Sequence, residues 1–402
     1  MNGTTMKGSH VNCSCRQVMQ FDFATSGRIR FGPGTIAELP AVARAFGLRA
    51  LVVTGRDKIR HAPRIDALES VGFHCALFSV AGEPTVQLIR EGTEFARAVE
   101  AQVVIGIGGG SVLDASKAIA AMAANPGDVV EYLEVVGKGL PLTQRPLPCI
   151  AVPTTAGTGS EATRNAVLGS PADGVKASLR HPWMLPRVAI VDPDMSLGLP
   201  AAITASTGLD AITQLIEPYV CRKANPFTDA LALEGLRMAV RSLPRAFAHP
   251  RDAEARAGMA CAALMSGIAL ANAGLGVVHG LAAAVGGAFP APHGAVCAAL
   301  LPHGMAANIR ALRADAAENG VLERFATIAR IVTGSAHAMP EDGPVALARL
   351  VRDLRIPGLG TYGVAMRDLD GLCAKAARAG SMKANPVEWS ASQLREVLEP
   401  AL

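Results

Sequence analysis

From Ala257 to Ile309 the sequence contains no Asp, Glu, Lys or Arg, a run of 53 residues. A stretch of that length and polarity either crosses a membrane or forms the buried helices of a folded core. The run contains His279 and His293, many Gly and Ala residues, and a break at Pro290–Pro292. Small side chains let helices pack closely, whereas a lipid-facing span is rich in Leu, Ile and Phe. We therefore interpret the run as the buried wall of a site and expect no membrane partner.

The composition excludes two further classes of protein. Half of the 402 residues are hydrophobic and 18% are charged, which is not the composition of a disordered chain. The formal net charge of +4 is spread thinly, without a Lys/Arg cluster interleaved with aromatic side chains. We therefore expect no nucleic-acid partner.

The first 20 residues are polar and lack the apolar segment of a signal peptide, so we interpret residues 1–20 as a poorly ordered tail. Cys13 and Cys15 lie in this tail, but no second Cys/His pair is spaced to complete a metal site with them. The other six Cys residues stand singly, mostly in apolar surroundings, as reduced buried thiols do. We therefore expect a cytoplasmic protein.

The first half of the chain alternates short apolar runs with helical patterns. The strand candidates are rich in apolar and β-branched residues and lie at residues 28–31, 50–54, 75–80, 103–107, 150–152 and 188–191. Helical stretches separate the early ones, at residues 63–71, 86–99 and 111–124. This alternation predicts βαβ units, and hence an α/β domain built on a parallel sheet.

The second half contains no convincing strand. Helical patterns follow one another at residues 201–221, 227–242, 252–272, 276–288, 294–309, 318–332, 343–354, 366–378 and 391–398. We place a domain boundary near residue 195. The prediction is an α/β domain at 21–195 and an all-helical domain at 196–402, packed tightly because no low-complexity linker separates them.

A glycine-rich turn follows the strand candidate at 103–107. Gly108–Gly110 and Ser111 open a helix, where small residues and free N–H groups suit a pyrophosphate. Asp114 and Lys117 lie on one face of that helix. The alternative is a tight turn with a surface ion pair. The strand context favours the phosphate interpretation.

A second loop, PTTAGTGSE at residues 153–161, follows the next strand candidate. Its hydroxyls and glycines lie at the carboxyl end of a parallel strand, where α/β sheets bind ligands. The alternative is a loop in which Thr158 or Ser160 caps the next helix. If the glycine-rich turn lies on a neighbouring strand, we expect this loop to form the other wall of a cofactor cleft.

Four residues of the helical half suggest a metal site. Asp210 and Gln214 are four residues apart on a predicted helix and point the same way, while His279 and His293 lie in the charge-free run. One carboxylate and two imidazoles can hold a divalent metal with an open position. Taken singly, these residues are better explained as a helix cap (Asp210) and two core histidines, because spacing alone does not assemble them.

The chain resembles the iron-containing (group III) alcohol dehydrogenases from about Phe21 to its C-terminus. The resemblance rests on five motifs in order: GGGSVLDASKA (108–118), PTTAGTGSEAT (153–163), GLDAITQLIEPY (208–219), VHGLAAAVGGAF (278–289) and APHGAVCAALLPH (291–303). It implies an N-terminal Rossmann-like domain and an all-helical C-terminal domain, an architecture shared with dehydroquinate synthase. It also implies that a nicotinamide cofactor and a divalent metal, iron or zinc, meet in the cleft between them.

The resemblance assigns roles to individual residues. It places the pyrophosphate on Gly108, Gly109, Gly110 and Ser111. It places the nicotinamide nucleotide along Asp114, Thr154, Thr155 and Thr158. It makes Asp210, His279 and His293 metal ligands.

Two positions depart from the family pattern. Gln214 stands where typical metal-dependent members have a histidine, and Ala283 replaces their second histidine after the VHG motif. Gln is a weak neutral oxygen ligand, so its contribution to iron or zinc binding is small. Related glycerol dehydrogenases hold zinc with one Asp and two His, so three ligands suffice. Without a histidine at position 283, proton transfer needs water, a ribose hydroxyl or another side chain.

The choice between NADP and NAD depends on the residues after the second strand candidate. In relatives an Asp there bonds the ribose 2′-hydroxyl and repels a 2′-phosphate. Here Gly55 leaves space, and Arg56 or Lys58 offers a positive charge, which favours NADP or use of both cofactors. The alternative is a turn with solvated charges.

We therefore expect a hydride-transfer enzyme, an NAD(P)-dependent dehydrogenase or reductase that forms a homodimer, as family members commonly do. Its substrate is a small alcohol, aldehyde or keto acid, with His279, Asp210 and Asn165 in the catalytic site and Arg164 beside an anionic group. One alternative is a maleylacetate-reductase-like enzyme with little metal dependence. Another is a dehydroquinate-synthase-like lyase, although the helical half has few clustered Lys/Arg residues. A third is a non-catalytic descendant of the family.

Overall fold

A computed structural model describes residues 20–57, 59–171, 174–314 and 320–402. Almost all of the predicted tail, including Cys13 and Cys15, lies outside the described residues, as does Lys58.

A six-stranded parallel sheet forms the core of the first half, with strand order β1-β8-β5-β4-β2-β3. Its strands are β1 (Ile29–Phe31), β2 (Arg49–Thr54), β3 (His74–Ser79), β4 (Val103–Gly108), β5 (Cys149–Pro153) and β8 (Val188–Val191). Every residue of β4, β5 and β8 is buried, as expected for strands covered on both faces. The predicted parallel sheet is confirmed, and each strand lies within a residue or two of its predicted bounds.

Helices cover the two faces of this sheet. They are α1 (Leu39–Ala43), α2 (Ala62–Glu69), α3 (Val86–Ala98), α4 (Gly110–Ala124) and α5 (Val129–Tyr132). Two separate apolar cores result, because side chains alternate between the faces of each strand. Leu51 and Val53 of β2 belong to one core, and Ala50 and Val52 belong to the other.

An antiparallel hairpin that the sequence did not predict lies between β5 and β8. It consists of β6 (Asn165–Ser170) and β7 (Val175–Arg180), with Asn165 opposite Arg180. Ala166 and Leu168 are fully buried, and Val167 between them is exposed. The hairpin follows the second predicted loop directly.

The second half is entirely helical in the described residues. Its helices are α6 (Ala201–Val220), α7 (Pro226–Ala248), α8 (Ala253–Asn272), α9 (Val277–Ala288), α10 (His293–Ala314), α11 (Val321–Thr333), α12 (Asp342–Asp353), α13 (Leu369–Ala376) and α14 (Ala391–Leu398), with short 3₁₀ turns between some of them. One large apolar core joins nearly all of them. The predicted boundary near residue 195 falls in the short segment between the end of β8 and the start of α6.

The charge-free run corresponds to most of α8, all of α9 and most of α10. By length and hydropathy α10 is long enough to cross a membrane, and α8 with α9 passes the same test only as a pair bent by 97°. However, 78% of the apolar window of α10 is buried against other parts of the protein. This burial agrees with the interpretation of the run as core helices.

Candidate active site between the sheet and the helical half

The two loops expected to bind a nucleotide are neighbours in the structure. Strands β4 and β5 are adjacent and parallel, with Gly108 opposite Pro153. The amide of Thr154 donates a hydrogen bond of 2.9 Å to the carbonyl of Gly108. The condition set for a shared cofactor cleft, that the glycine-rich turn and the threonine-rich loop follow neighbouring strands, is thus met, and the cleft itself stays a prediction.

The glycines of the turn make room for the threonines of the loop. A Cβ atom on Gly110 would lie 2.6 Å from Cγ2 of Thr158, and one on Gly109 would lie 3.3 Å from Oγ1 of Thr155. The first of these distances is too short for any real side chain. The loop can therefore approach the N-terminus of α4 only because that turn carries no side chains, and the partly exposed Ser111 follows immediately.

Hydrogen bonds made by Asp114 and Lys117 link α4 to the threonine-rich loop and to the start of β6. One oxygen of Asp114 accepts a hydrogen bond from Oγ of Ser160 and lies 3.1 Å from Nζ of Lys117, and the other accepts from the amide of Val167. Lys117 is fully buried, and its Nζ also donates to the carbonyls of Ser160 and Asn165. The alternative of a surface ion pair at these positions is wrong, because burial and hydrogen bonds within the protein hold both groups.

Asn165 lies at the start of β6, behind this pair, and its backbone carbonyl accepts the bond from Lys117. No described hydrogen bond links its side chain to the helical half, so its catalytic role stays a prediction.

Gly55 follows β2, and a Cβ atom there would meet nothing within 4 Å. Arg56 is exposed beside it. Open space next to an exposed cation matches the expected setting for a 2′-phosphate, and the role of both residues stays a prediction.

The three predicted metal ligands do meet, although they come from three helices. Asp210 lies in the middle of α6, His279 in the first turn of α9 and His293 at the start of α10. Oδ1 of Asp210 lies 3.5 Å from Nε2 of His279 and 3.8 Å from Nε2 of His293. A Cβ atom on Gly294 would lie 2.4 Å from the carbonyl oxygen of Ser206, so the glycine lets α10 approach α6.

Burial and missing hydrogen bonds show that this cluster fits a cation. The Asp210 side chain is 1% exposed, yet its Oδ1 has no hydrogen-bond partner among the described residues, and neither does the buried Nε2 of His279. Buried polar atoms are normally paired. A carboxylate oxygen and an imidazole nitrogen that face each other without a hydrogen-bond partner are donors that one metal ion would satisfy. The side chain of His293 is 36% exposed and marks the open side of the cluster.

Glu217, which was not predicted as a site residue, fixes the orientation of His279. Its Oε2 lies 2.6 Å from Nδ1 of His279, and its Oε1 accepts from the amide of Val278 at 2.7 Å. A carboxylate bonded to Nδ1 leaves Nε2 free to bind a metal, as in many carboxylate–histidine–metal sites. The side chain of Asn385 supports the same helix end, because its Oδ1 accepts from the amide of Val277. Glu217 lies seven residues after Asp210, on the same helix face, which is the signal that could have found it.

Cys297 is a further residue of the cluster that was not predicted. Each of Asp210, His279, His293 and Cys297 offers one donor atom, and all four atoms lie within 4.8 Å of one another. Cys297 follows His293 by four residues on α10, a spacing that places both on one face of the helix. That spacing is visible in the sequence.

Charges within the cluster shift its acid–base equilibria. Burial opposes ionisation of both Asp210 and Cys297, yet the neighbouring histidines hold the pKa of each below its ordinary value. Burial likewise opposes protonation of His279, but the facing thiol and carboxyl groups raise its pKa well above the usual range. The acidic groups and the histidines thus stabilise one another as ions, and a bound cation would take the place of the protons on the imidazoles.

Gln214, the fourth predicted ligand, is engaged elsewhere. Its Oε1 accepts a hydrogen bond of 2.9 Å from Oγ of Ser266 in α8. Ser266 lies 3.4 Å from the carbonyl of Gly157, so this chain of contacts joins the helical half to the threonine-rich loop.

Ala283, the other departure from the family pattern, is partly exposed and brings no titratable group to the site.

A parallel sheet with a glycine-rich turn, followed by a helical half with a buried donor cluster, is the architecture of a class of oxidoreductases that the family comparisons identify. The family model for iron-containing alcohol dehydrogenase matches residues 26–193, and the model for the C-terminal part of the Fe-containing alcohol dehydrogenase family matches residues 204–402. The chain belongs to the iron-containing alcohol dehydrogenase family.

Individual relatives and solved structures agree with this assignment. The 1,3-propanediol dehydrogenase of Klebsiella pneumoniae is 34% identical over 95% of this chain and 98% of its own length. The NAD-dependent methanol dehydrogenase of Bacillus methanolicus is 34% identical over 92% and 97%, respectively. A crystal structure of 1,3-propanediol oxidoreductase matches with a TM-score of 0.87 and 33% identity, covering 96% of this chain and all of that one. A sulfoacetaldehyde reductase from Bifidobacterium kashiwanohense, solved with NAD⁺, matches with a TM-score of 0.82 and 27% identity over 95% and 99%.

Proposed function

We propose that this protein catalyses reversible hydride transfer between NAD(P) and a small alcohol, aldehyde or keto acid, assisted by a divalent cation. The observation that supports this most is the convergence of unpaired, buried Asp210 Oδ1 and His279 Nε2 with His293. The curated relatives named above act, by their names, on 1,3-propanediol and methanol. Small alcohols and the corresponding aldehydes are therefore the first substrates to test.

The cluster lies next to the proposed nucleotide loops. A Cβ atom on Gly157 would lie 2.6 Å from Cβ of Thr207, which precedes Asp210 by three residues on α6. The threonine-rich loop and the metal-binding helix thus touch across the boundary between the two halves. A nucleotide held by the glycine-rich turn can then extend its nicotinamide towards the cluster.

The protein's own groups have separate tasks in this reaction. Asp210 supplies negative charge for a cation, Glu217 holds His279 with Nε2 turned inward, and His293 borders the open side. A cation bound here would polarise the substrate oxygen as a Lewis acid, and the nicotinamide would carry the hydride. Because Ala283 brings no titratable group, we propose that the proton passes through water or a ribose hydroxyl.

The residues that follow β2 support use of NADP, or of both NADP and NAD. Gly55 leaves open space where an acidic residue would repel a 2′-phosphate, and the exposed Arg56 can pair with one. Replacing Arg56 by alanine should lower the ratio of kcat/KM for NADPH to that for NADH. An unchanged ratio would show that the arginine is only a solvated surface charge.

The direct test is NADH and NADPH oxidation with neutral, cationic and anionic short-chain aldehydes, each measured with and without added zinc or iron(II). We expect metal-stimulated turnover with at least one aldehyde or keto acid, and the reverse reaction with the corresponding alcohol. A preference for anionic substrates that is lost on Arg164→Ala would assign Arg164 to substrate binding. Absence of turnover with every metal, cofactor and substrate in this panel would refute the proposal.

A further inference from the structure

Cys297 brings a fourth donor atom to the cluster, whereas the side-chain oxygen of Gln214 is bonded elsewhere. Sγ of Cys297 lies 3.6 Å from Nε2 of His293 and, like the other donors, within 4.8 Å of every donor atom in the cluster. The thiol is fully buried in α10, and it faces the gap that contains the unpaired Asp210 Oδ1 and His279 Nε2. The oxygen of Gln214, by contrast, is bonded to Ser266.

The distances between these donors match the edges of a metal-centred tetrahedron. Zinc bonds of about 2.0 Å to nitrogen or oxygen and about 2.3 Å to sulfur give edges of about 3.3 Å between nitrogen or oxygen donors and about 3.5 Å to sulfur. The separations are 3.5 Å between Asp210 and His279, 3.8 Å between Asp210 and His293, and 3.6 Å between His293 and Cys297. Small adjustments of side chains are enough to place all four donors around one ion.

The charge balance points the same way. A carboxylate and a thiolate that both bind a divalent cation neutralise its charge by direct contact, in a cluster buried among apolar helices. The run from Ala257 to Ile309, which contains Cys297, carries no other charged residue to compensate. Glu217 is the next carboxyl group, but its oxygens contact Nδ1 of His279 and the Val278 amide, so it does not face the cluster directly.

We propose that Cys297 is the fourth protein ligand of the cation, in place of the side chain at position 214, and that this Asp-His-His-Cys set selects zinc over iron. Thiolate ligands favour zinc, whereas carboxylate and imidazole donors alone discriminate less. Zinc accepts a fifth donor, so four protein ligands do not close the site to a substrate. The inference rests on the proposed cation site, but it concerns the identity of a ligand rather than the reaction.

X-ray absorption of the zinc-loaded protein tests the ligand without any change at the site. The measurement is made on a Cys13→Ser/Cys15→Ser background, which removes the C-x-C pair of the N-terminal segment as another source of sulfur. We expect one zinc per chain with one sulfur neighbour at about 2.3 Å. A coordination shell of nitrogen and oxygen only, or no bound zinc, overturns the proposal.

Cobalt substitution identifies the residue. A thiolate bound to Co²⁺ gives a ligand-to-metal charge-transfer band in the near ultraviolet, which should disappear in Cys297→Ser and in Cys297→Ala. Cys149→Ser is the matched control, because Cys149 is also buried but lies at the start of β5, at the end of that strand opposite the loop. Zinc affinity should fall at least ~100-fold in both Cys297 variants and stay unchanged in the control. Persistence of the band in both folded variants overturns the assignment.

Metal competition tests the selectivity. With equal zinc and iron(II), the native protein should take up zinc, and Gln214→His/Cys297→Ala, with an Asp-His-His-His set, should shift towards iron. An unchanged preference in the double variant contradicts the selectivity.

Hydride transfer measured on the same samples separates the two proposals. Turnover without sulfur ligation refutes only the assignment of Cys297 as a ligand. Sulfur ligation without turnover refutes only the proposed dehydrogenase activity.

Discussion

The nucleotide-loop region and the metal cluster lie side by side but are built in opposite ways. In the loop region both oxygens of Asp114 are bonded, and Lys117 is surrounded by Asp114 and oxygens of Ser160, Thr163 and Asn165. In the cluster, Oδ1 of Asp210 has no hydrogen-bond partner among the described residues. The polar side chains of the first region satisfy one another, whereas the second region has a bare carboxylate oxygen that a cation would satisfy.

This contrast separates two ways of binding. A nucleotide phosphate is bound by backbone N–H groups at a helix N-terminus, so the side chains around it can serve to hold the loops in place. A cation needs bare donor atoms, and the cost of leaving them unpaired in the metal-free protein is recovered when the ion binds. Substitutions should therefore affect the two regions differently.

The largest effect is expected when the charge at the centre of the cluster is removed. Asp210→Asn preserves the shape of the side chain but removes its negative charge. Bound metal should be lost, and kcat/KM should fall by on the order of 10²–10³-fold, the equivalent of several kcal/mol of Lewis-acid assistance. Metal analysis and steady-state kinetics measure both. His303→Ala is the control, since His303 lies on α10 outside the cluster, and equal metal content in both variants would contradict the role of Asp210.

Glu161 is the exception within the loop region. It is buried and has no ion pair in the described part of the chain, so burial raises its pKa to about 7, with its own amide and Lys117 opposing the shift. A folded pKa above the unfolded value of 4.5 gives stability that is fully present below pH 4.5 and is lost as the pH rises through about 7.

Glu161→Gln should remove this dependence on pH. The free energy of unfolding of the native protein, relative to that of the variant, should decline by roughly 3 kcal/mol between pH 4.5 and 8. Denaturant titrations at a series of pH values measure the difference. Glu396→Gln, at an exposed position, should show no such slope. A flat difference for Glu161→Gln would mean that the buried carboxyl is ionised in the folded protein.

A smaller effect is expected at Glu217, which contacts the proposed metal ligand His279 rather than the metal itself. Glu217 accepts hydrogen bonds from Nδ1 of His279 and from the amide of Val278, and a glutamine has only one oxygen to accept with. Glu217→Gln should therefore release one donor and weaken zinc binding by about 10–100-fold. Competition with a chromophoric chelator measures this affinity. The exposed Glu234→Gln is the control, and equal affinities would show that Glu217 only supports the helix.

Much of the fold follows from local patterns in the sequence. The buried strands are short apolar runs, and the helices have their own spacing and caps, so both were predicted to within a few residues in most cases. The hairpin of β6 and β7 was missed although β7 alternates strictly between apolar and polar residues, because in β6 the exposed Val167 between Ala166 and Leu168 hides the alternation. Its buried side rests on Leu168 and Leu179, in the core formed with α3 and α4.

The site is less local than the fold. Asp210, His279 and His293 come from separate helices, and only resemblance to a family brought them together before the structure did. Glu217 shares a helix face with Asp210, but no spacing rule gives its bond to His279, a residue 62 positions away. Cys297 could have been found from its i, i+4 relation to His293, but a cysteine in an apolar helix has the same pattern as a simple core residue.

The smallest effect is expected in the loop region, where backbone rather than charge matters. Gly110→Ala places a Cβ atom 2.6 Å from Cγ2 and 2.8 Å from Oγ1 of Thr158, so the loop has to move away from the N-terminus of α4. NADH affinity, measured by cofactor fluorescence, should fall by roughly 10-fold, while metal content stays the same. Thr158→Ser removes Cγ2 and should restore part of the affinity in the double variant. Gly371→Ala is the matched control, because a Cβ atom there meets nothing within 4 Å. Loss of metal together with the nucleotide would show that the two regions are coupled rather than independently built.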